Sequence, residues 1–172
     1  MFFKMKVRYP NISPDQVLEA LTVPKMDDWE VYEQVKVIKE LMDEQAQQVY
    51  FLTPKHKIPF MLQREFICKF YHKKNYFMNA DGSPGAHVVV RVPGGEHPDY
   101  PENARKKVRG SMECIGFVIK DCPEINGCEI HSIYNEKMNG SMPKFFLNGL
   151  AGMISKSFAT NMLKYIESGG QR

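Results

Sequence analysis

Alternating apolar and polar positions divide most of this chain into short segments with the two-residue period of β-strands. The first segment runs from Phe2 to Tyr9, and Pro10 and Asn11 end it. Clusters of turn-forming residues separate the later strand-like runs, which occupy residues 31–41, 46–52, 64–73, 86–92, 106–119 and 127–136. Successive strands joined by turns predict an antiparallel sheet.

Two segments follow a helical period instead. Ser13 and Pro14 predict the start of a short helix, because Ser caps helix N-termini and Pro fits the first helical turn. After Pro143 the chain contains no further Pro, and apolar residues recur at three- and four-residue steps. The resulting stripe consists of Leu147, Leu150, Ile154, Phe158, Met162 and Tyr165 or Ile166.

The order of these elements predicts the fold class. A strand, a helix, a series of strands and a long terminal helix indicate an α+β protein. We expect a helix-grip fold, in which a curved antiparallel β-sheet wraps around the long C-terminal α-helix. Gly149, Ala151 and Gly152 keep part of that helix slim. If the sheet is curved, the helix covers a cavity rather than a packed core.

Composition indicates a single globular domain. The 172 residues are 43% hydrophobic and 25% charged, with a formal net charge of +3. We therefore expect one domain over residues 1–172 and no nucleic-acid partner. We find neither a signal-peptide core nor a stretch long enough to span a bilayer. We accordingly expect a cytoplasmic monomer whose membrane contact is transient and peripheral.

The four cysteines lack the spacing of a metal site. They are Cys68, Cys114, Cys122 and Cys128. We expect reduced structural thiols, no metal and no cofactor. A disulfide between Cys122 and Cys128 is the alternative.

The strand patterns define one face as aromatic and apolar, since Lys69 marks the other face of its strand as outward. The inward residues are Val49, Phe51, Phe66, Cys68, Phe70, Cys128, Ile130, Ser132 and Tyr134. Such a set fits an ordinary core, and it also fits an apolar ligand pocket with a few polar groups.

The run over 106–119 is less regular. Its period of two places Arg109 and Glu113 on the face that carries Ile115 and Phe117. If that face points inward, each charge needs a partner or a zwitterionic ligand, because an unpaired buried charge is costly. If the face points outward, both residues are ordinary surface residues.

Four motifs, in order along nearly the whole chain, resemble the START lipid-transfer domain family. They are Trp29 and Glu30 after the first helix, Arg64, Glu65 and Phe66 after a Pro-containing loop, Val108 and Arg109 on a strand, and Gly140 and Pro143 before the last helix. The resemblance implies that one lipid is enclosed between the curved sheet and the last helix. It also implies lipid transfer or sensing without covalent chemistry.

The resemblance further implies a phospholipid ligand. Phe51 and Phe66 match positions where phosphatidylcholine-binding members place aromatic rings around the quaternary ammonium. The third ring position falls on Glu113, a carboxylate that could attract choline or ethanolamine. Met26 lies where those members carry a phosphate-contacting Arg, and Lys25 is adjacent.

The acid and base of the sterol-binding members match Leu52 and Phe70 here, so a phospholipid is favoured over a sterol. By the same resemblance we expect the family's usual first helix and first two strands to be missing here. We therefore expect either a minimal domain or a piece of a longer protein.

These patterns nominate a set of site residues. We expect the lipid to contact Phe51, Arg64, Phe66, Cys68, Phe70, Arg109, Glu113, Ile130, Ser132, Tyr134, Leu147, Leu150 and Ile154. The loop 53–62 mixes basic and apolar residues, which suits a membrane surface. Within it, Phe60 and Met61 are the expected membrane gate.

Two other classes of function remain as alternatives. One is a lipid-sensing module that regulates a larger protein. The other is an enzyme, because related helix-grip proteins include hydrolases and cyclases. We expect His87 and His131 to point outward, and no catalytic triad or carboxylate pair stands out in the sequence, so we expect a protein that is not an enzyme.

Overall fold

The structure is a computed structural model that describes residues 1–22, 25–26, 32–41, 45–53, 62–102, 107–140 and 144–170, except for the side chains of 144–148 and Leu150. The elements are β1 (Phe2–Pro10), α1 (Pro14–Ala20), β2 (Gln34–Glu40), β3 (Ala46–Leu52), β4 (Arg64–Lys73), β5 (His87–Pro93), β6 (Val108–Arg109), β7 (Ser111–Cys122), β8 (Gly127–Lys137) and α2 (Lys144–Glu167). Neither helix is long and apolar enough, over the described residues, to cross a membrane.

The strands form one eight-stranded sheet in the order β1-β8-β7-β5-β4-β3-β2. Every neighbouring pair in this order is antiparallel, and the short β6 pairs with β4 in parallel. The curved sheet grips α2, so the predicted helix-grip class is confirmed. Because β5 is in the middle of the order, its inward residues lie at the centre of the gripped face.

The sequence signals for α1 act as predicted. The backbone N–H of Gln16 donates to Oγ of Ser13 at 3.2 Å, and the N–H of Ser13 donates to Oε1 of Gln16 at 2.8 Å. This reciprocal capping box satisfies two donors at the helix start. Pro14 occupies the first turn, and Val17 and Leu18 are buried.

The face of the sheet covered by α1 and α2, hereafter the inner face, carries one continuous cluster of buried apolar side chains. The strands contribute Val49, Phe51, Phe66, Cys68, Phe70, Val89, Met112, Ile115, Phe117, Ile119, Cys128, Ile130 and Tyr134, and α2 contributes Phe158, Met162 and Tyr165. The opposite, outer face has a small cluster of its own, formed by Tyr50, Leu52 and Ile67.

The run predicted as one strand over 106–119 is interrupted at Gly110, between β6 and β7. A Cβ at Gly110 would lie 2.2 Å from Cε1 of Phe66 and 2.9 Å from the carbonyl oxygen of Lys137. Atoms cannot approach that closely, so only a glycine, which has no Cβ, lets the backbone pass directly over the Phe66 ring.

A β-bulge in β7 changes which face its residues occupy. Met112 pairs with Glu136, and Cys114 pairs with the residue before Glu136, so Glu113 is the extra residue. As a result, Met112 and Ile115 are both buried in the inner-face cluster although they are three residues apart. The prediction that Glu113 shares a face with Ile115 is wrong, because the bulge interrupts the period of two.

All four cysteines are free, as expected for reduced thiols. Burial, more than the nearby Asp121, raises the pKa of the Cys128 thiol to about 12. Cys128 is therefore protonated and unreactive at neutral pH.

Candidate lipid-binding site

The predicted lipid-contacting side chains of β3, β4 and β8 do share the inner face. Phe51, Phe66, Cys68 and Phe70 are fully buried, and Ile130, Ser132 and Tyr134 on β8 are no more than 6% exposed. The Ser132 hydroxyl donates to the carbonyl oxygen of Met5 at 3.4 Å. The common face is thus established, while a lipid contact for these residues stays a prediction.

An aromatic stack joins this face to the second half of α2. The rings of Phe117 and Phe158 are parallel with centroids 5.3 Å apart, and Tyr134 meets Phe117 edge to face at 5.7 Å. The Tyr9 hydroxyl also donates to the carbonyl oxygen of Ala159 at 3.1 Å. These contacts fix α2 from Phe158 onward against β1, β7 and β8.

Sequence reasoning missed a buried cation at the centre of the inner face. Arg91 on β5 is 1% exposed, and its guanidinium carbon lies 5.1 Å from the centre of the Phe51 ring and 5.7 Å from that of Phe117. Its Nη2 donates to the sulfur of Met26 at 2.7 Å. A signal was present in the sequence, because Arg91 is two residues from the core residue Val89 and therefore shares its face.

Arg64 lies on the inner row of β4 and is 2% exposed. It donates through Nη1 to the carbonyl oxygen of Leu62 at 2.5 Å, and through Nε and Nη2 to those of Met138 and Asn139 at 3.4 and 3.3 Å. Burial lowers the pKa of this guanidinium. The geometry gives Arg64 a role that the sequence did not suggest, since it holds the segment between β8 and α2.

Arg109 lies on the outer face, so its predicted place in the lipid site is wrong. Its Nη2 and Nε donate to Oε1 of Glu65 at 2.9 and 3.2 Å, and Nη2 also donates to the carbonyl oxygen of Tyr100 at 2.7 Å. Tyr50 donates to the other Glu65 oxygen at 3.0 Å. The physical reason is that β4 alternates: Phe66 points inward, so its neighbour Glu65 and the paired Arg109 point outward.

Glu113 is also outside the inner face. Oε2 of Glu113 lies 3.3 Å from Nζ of Lys137, whose side chain is 64% exposed. Hydrogen bonds from Ser111 and then Lys137 hold the pKa of the carboxyl below its usual range. The zwitterionic-ligand hypothesis for Arg109 and Glu113 therefore fails, and both are paired within the protein.

Some of the remaining predicted site residues are described by the structure, and others are not. Ile154 packs partly buried against the inner-face cluster, and Met26 is fully buried beside Arg91. Leu52 belongs to the outer-face cluster, so its side chain cannot report on an inner-face ligand. The side chains of Leu147 and Leu150, and all of Trp29, Glu30, Phe60, Met61 and Pro143, lie outside the described residues.

His87 points inward, contrary to expectation, because it shares the row of Val89 and Arg91. The backbone N–H of Asn75 donates to its Nδ1 at 3.0 Å, and its Nε2 lies 3.0 Å from Oδ1 of Asp15 on α1. Asp15 is itself 58% exposed at the rim of the sheet. The pair therefore joins α1 to β5.

Two grooves lined by described residues lie on the outer face. One, of about 480 Å³, has a floor of Val88, Val90 and Val118 beside Lys4 and His131. The other, of about 640 Å³, shares Val88 and Val90.

Comparison with known proteins agrees with this architecture. Human StAR-related lipid transfer protein 5 superposes with a TM-score of 0.77 at 15% identity, over 99% of this chain and 77% of that chain. Human STARD10 gives 0.75 at 20% identity, over 96% of this chain and 64% of that one. A STAR-related lipid transfer protein from Xanthomonas axonopodis gives 0.70 at 17% identity, over 96% and 85%. No curated protein matches the chain.

At these identities the solved structures establish the fold alone. The sequence itself gives the stronger result, because the family model described as "START domain" matches residues 2–172. The match includes β1, the long terminal helix and every inner-face strand between them. The chain therefore belongs to the START domain family.

Proposed function

We propose that this chain binds one phospholipid between the inner face and α2 and transfers it between membranes without covalent chemistry. The observation that carries the proposal is the continuous apolar and aromatic inner face in a chain of the START family. We further propose that it acts as a cytoplasmic monomer and touches membranes transiently.

The chemistry of the inner face supports a ligand with long hydrocarbon chains. Burial of acyl chains contributes about 0.8 kcal/mol per CH₂ group, so a diacyl lipid is held mainly by apolar contact. Aromatic rings such as Phe51, Phe66 and Phe70 offer large apolar surfaces at low entropic cost. Replacing packed side chains by acyl chains requires that α2 moves away from the sheet.

The two halves of α2 differ in a way that supports such a movement. Its first half contains Gly149 and Gly152, both exposed, and among the described residues no atom outside the local helix backbone lies within 4 Å of a Cβ built at either position. Each Gly in a helix interior costs roughly 1 kcal/mol relative to Ala. The second half is anchored by Phe158 and Met162. We therefore propose that the first half of α2 opens while the second half stays on the sheet.

The chain must also turn where it enters α2, and Arg64 holds that segment at Met138 and Asn139. Asn139 and Gly140 both have positive φ, 46° and 66°, so the chain reverses sharply before α2. The membrane gate at Phe60 and Met61 stays a prediction: these residues would contact the membrane when α2 opens.

Transfer between vesicles tests the proposal. Donor vesicles containing a self-quenched fluorescent phospholipid are mixed with unlabelled acceptors, and dequenching is followed with and without protein. Heat-denatured protein at the same concentration controls for non-specific extraction. We expect transfer that rises linearly with the concentration of folded protein. Stoichiometric lipid binding without exchange would favour the lipid-sensing alternative, and neither binding nor exchange would overturn the proposal.

A further inference from the structure

We propose that the β4–β5 loop, residues 74–86, docks on a phospholipid bilayer and places Tyr76, Phe77 and Met78 in its interface. The inference rests on the membrane contact of the proposed function and names a surface that makes this contact.

The β4–β5 loop is separate from the predicted gate. Phe60 and Met61 precede the start of β4 in the chain, whereas the loop follows its end. β4 has ten residues, which span about 30 Å at roughly 3.3 Å per residue. The loop is therefore a second candidate for membrane contact, at the opposite end of this strand.

Three consecutive large apolar side chains are exposed in the loop. Tyr76 is 58% exposed, Phe77 50% and Met78 59%, and the two rings meet edge to face with centroids 5.0 Å apart. Single exposed apolar residues are normal on a protein surface, but a contiguous group indicates an interaction site. The connection from Lys73 to His87 is also much longer than the two to five residues of an ordinary hairpin loop, and long loops are often functional.

The sequence gives this loop a defined shape. The backbone N–H of Asn75 donates to Nδ1 of His87 at 3.0 Å, and the N–H of Phe77 donates to the carbonyl oxygen of Ala86 at 3.2 Å. A Cβ at Gly85 would lie 2.4 Å from the carbonyl oxygen of Phe77, so only glycine lets the two sides of the loop approach this closely. The apolar side chains thus project from a preorganised loop, and docking loses little conformational entropy.

Hydrogen bonds within the loop lower the cost of moving it into the interface. The N–H of Asn79 donates to the carbonyl oxygen of Ser83 at 3.0 Å, and that of Gly82 donates to the carbonyl oxygen of Asn79 at 3.0 Å. The Asn79 amide also donates to the carbonyl oxygen of Pro84 at 3.0 Å. Ser83 donates from its N–H and its hydroxyl to Oδ1 of Asp81 at 2.9 and 2.6 Å. Polar groups that are already paired lose less free energy when they leave water.

The charges on and beside the loop balance. Lys73 and Lys74 are positive, Asp81 and Asp15 are negative, and Nζ of Lys74 lies 2.9 Å from Oδ1 of Asp15. The loop therefore lacks the excess of basic residues that directs a segment to anionic lipids. Hydrogen bonds from Ser83 lower the pKa of the Asp81 carboxyl, so this carboxylate stays at headgroup level. We expect shallow docking, about 5–10 Å deep, driven by apolar contact.

A bilayer fits this patch better than a protein partner does. An aromatic side chain buries roughly 150–250 Å² in full, so three side chains that are half exposed offer on the order of 300 Å². A stable protein–protein interface buries about 800 Å² on each partner. A bilayer interface accepts a small convex patch, and aromatic residues are enriched there.

Flotation with neutral vesicles tests the proposal. Vesicles of pure phosphatidylcholine are mixed with the full chain, and the bound fraction gives a partition coefficient at about 0.1 M and about 0.5 M NaCl. We expect the parent to bind, with a partition coefficient that differs less than about two-fold between the two salt concentrations, because salt screens charges and not apolar contacts.

Matched variants assign the binding to the loop. Phe77→Ser should lower the partition coefficient at least about ten-fold, the effect of withdrawing one aromatic side chain from an apolar environment. Phe2→Ser makes the same change on β1, where the side chain is 61% exposed, and should alter it less than about two-fold. Both positions are exposed, so both variants should fold, and circular dichroism checks this. Hydrogen exchange needs no variant: amides of residues 74–86 in the parent should exchange more slowly when vesicles are present.

The outcomes separate this inference from the proposed function. Lipid transfer by a parent that does not bind neutral vesicles, or equal binding by the parent and Phe77→Ser, would overturn only the inference. Vesicle binding that depends on Phe77, without lipid transfer, would overturn only the proposed transfer. Binding that requires phosphatidylserine and is lost at high salt would assign the contact to basic segments and overturn the inference. A dimer of the parent, seen by light scattering and dissociated by Phe77→Ser, would make the loop a contact between copies and also overturn it.

Discussion

The guanidinium carbon of Arg91 lies 5.1 Å from the centre of the Phe51 ring. The two residues belong to β5 and β3, on either side of β4, so their contact crosses three strands in the middle of the inner face. A desolvated cation–π contact is worth roughly 2 kcal/mol, and it keeps a flexible side chain in one place. A fixed charge distinguishes this face from a plain apolar core.

Replacing Gly149 and Gly152 by Ala should slow lipid transfer. Both positions are open to a methyl group, and the two changes together stabilise the first half of α2 by roughly 1–2 kcal/mol, or about ten-fold in the population of the open helix. Vesicle transfer rates and helix content by circular dichroism are the measurements. Thr160→Ala, in the anchored half, raises helix propensity at an exposed site and should leave the rate unchanged. Equal rates for the parent and the double variant would remove this opening from the mechanism.

Arg64→Met should destabilise the protein and loosen the segment before α2. The change leaves the carbonyls of Leu62, Met138 and Asn139 without their buried charged donor, at an expected loss of roughly 2 kcal/mol of unfolding free energy. Urea unfolding measures the loss, and limited proteolysis should show faster cleavage near residues 138–144. Lys69→Met, at an exposed outer-face position of the same strand, is the matched control. A variant as stable as the parent would contradict the assigned role.

Glu113→Gln should leave lipid selectivity unchanged. Its carboxylate pairs with Lys137 at 3.3 Å on the outer face, so no lipid under α2 reaches it. Vesicle transfer with donor lipids of different headgroups in competition, run on this variant and the parent, measures the selectivity directly. A shifted headgroup preference in Glu113→Gln would place this residue in the lipid site. It would refute the conclusion that the bulge in β7 puts Glu113 on the outer face.

Glu129→Gln should change the dependence of stability on pH. Four basic side chains contact the Glu129 carboxylate. The distances to its oxygens are 2.8 Å from Nζ of Lys6, 2.6 Å from Nε of Arg8, 3.1 Å from Nζ of Lys120 and 2.5 Å from Nε2 of His131. These hydrogen bonds, that from Lys6 foremost, hold its pKa far below the usual range. The stabilisation is therefore complete above the unfolded-state pKa of about 4.3 and is lost as the pH falls below it.

The variant should be less stable than the parent at pH 7, and the difference should narrow progressively below about pH 4. Urea unfolding at a series of pH values tests this. A difference that is the same at pH 7 and at pH 3 would mean that the charge of Glu129 does not stabilise the fold.

The strands and the inner face could be predicted because a period of two needs only the sequence. Phe66, Cys68 and Phe70 alternate cleanly, and their strand has the predicted bounds. Glu113 could not be placed in this way, because one extra residue in β7 reverses the alternation. The local sequence gives no signal that predicts the bulge.

The positions of the charged residues could not be predicted for a different reason. The sequence places Arg91 on the face of Val89, but its contacts with Phe51 and Met26 depend on which strands and loops lie nearby. Arg109 was predicted in the lipid site because its ion-pair partner could not be identified from the sequence. That partner, Glu65, is 44 residues away in the chain. Pairing across a sheet is a long-range property, which local periodicity does not contain.

The central claim is that each chain encloses one lipid. Native mass spectrometry tests it most directly: the protein is incubated with vesicles of mixed phospholipids, separated from them, and its mass is measured before and after denaturation. The account predicts a single adduct of one lipid mass per chain, released on unfolding. A protein that carries no lipid, or a variable number of lipids per chain, would contradict it.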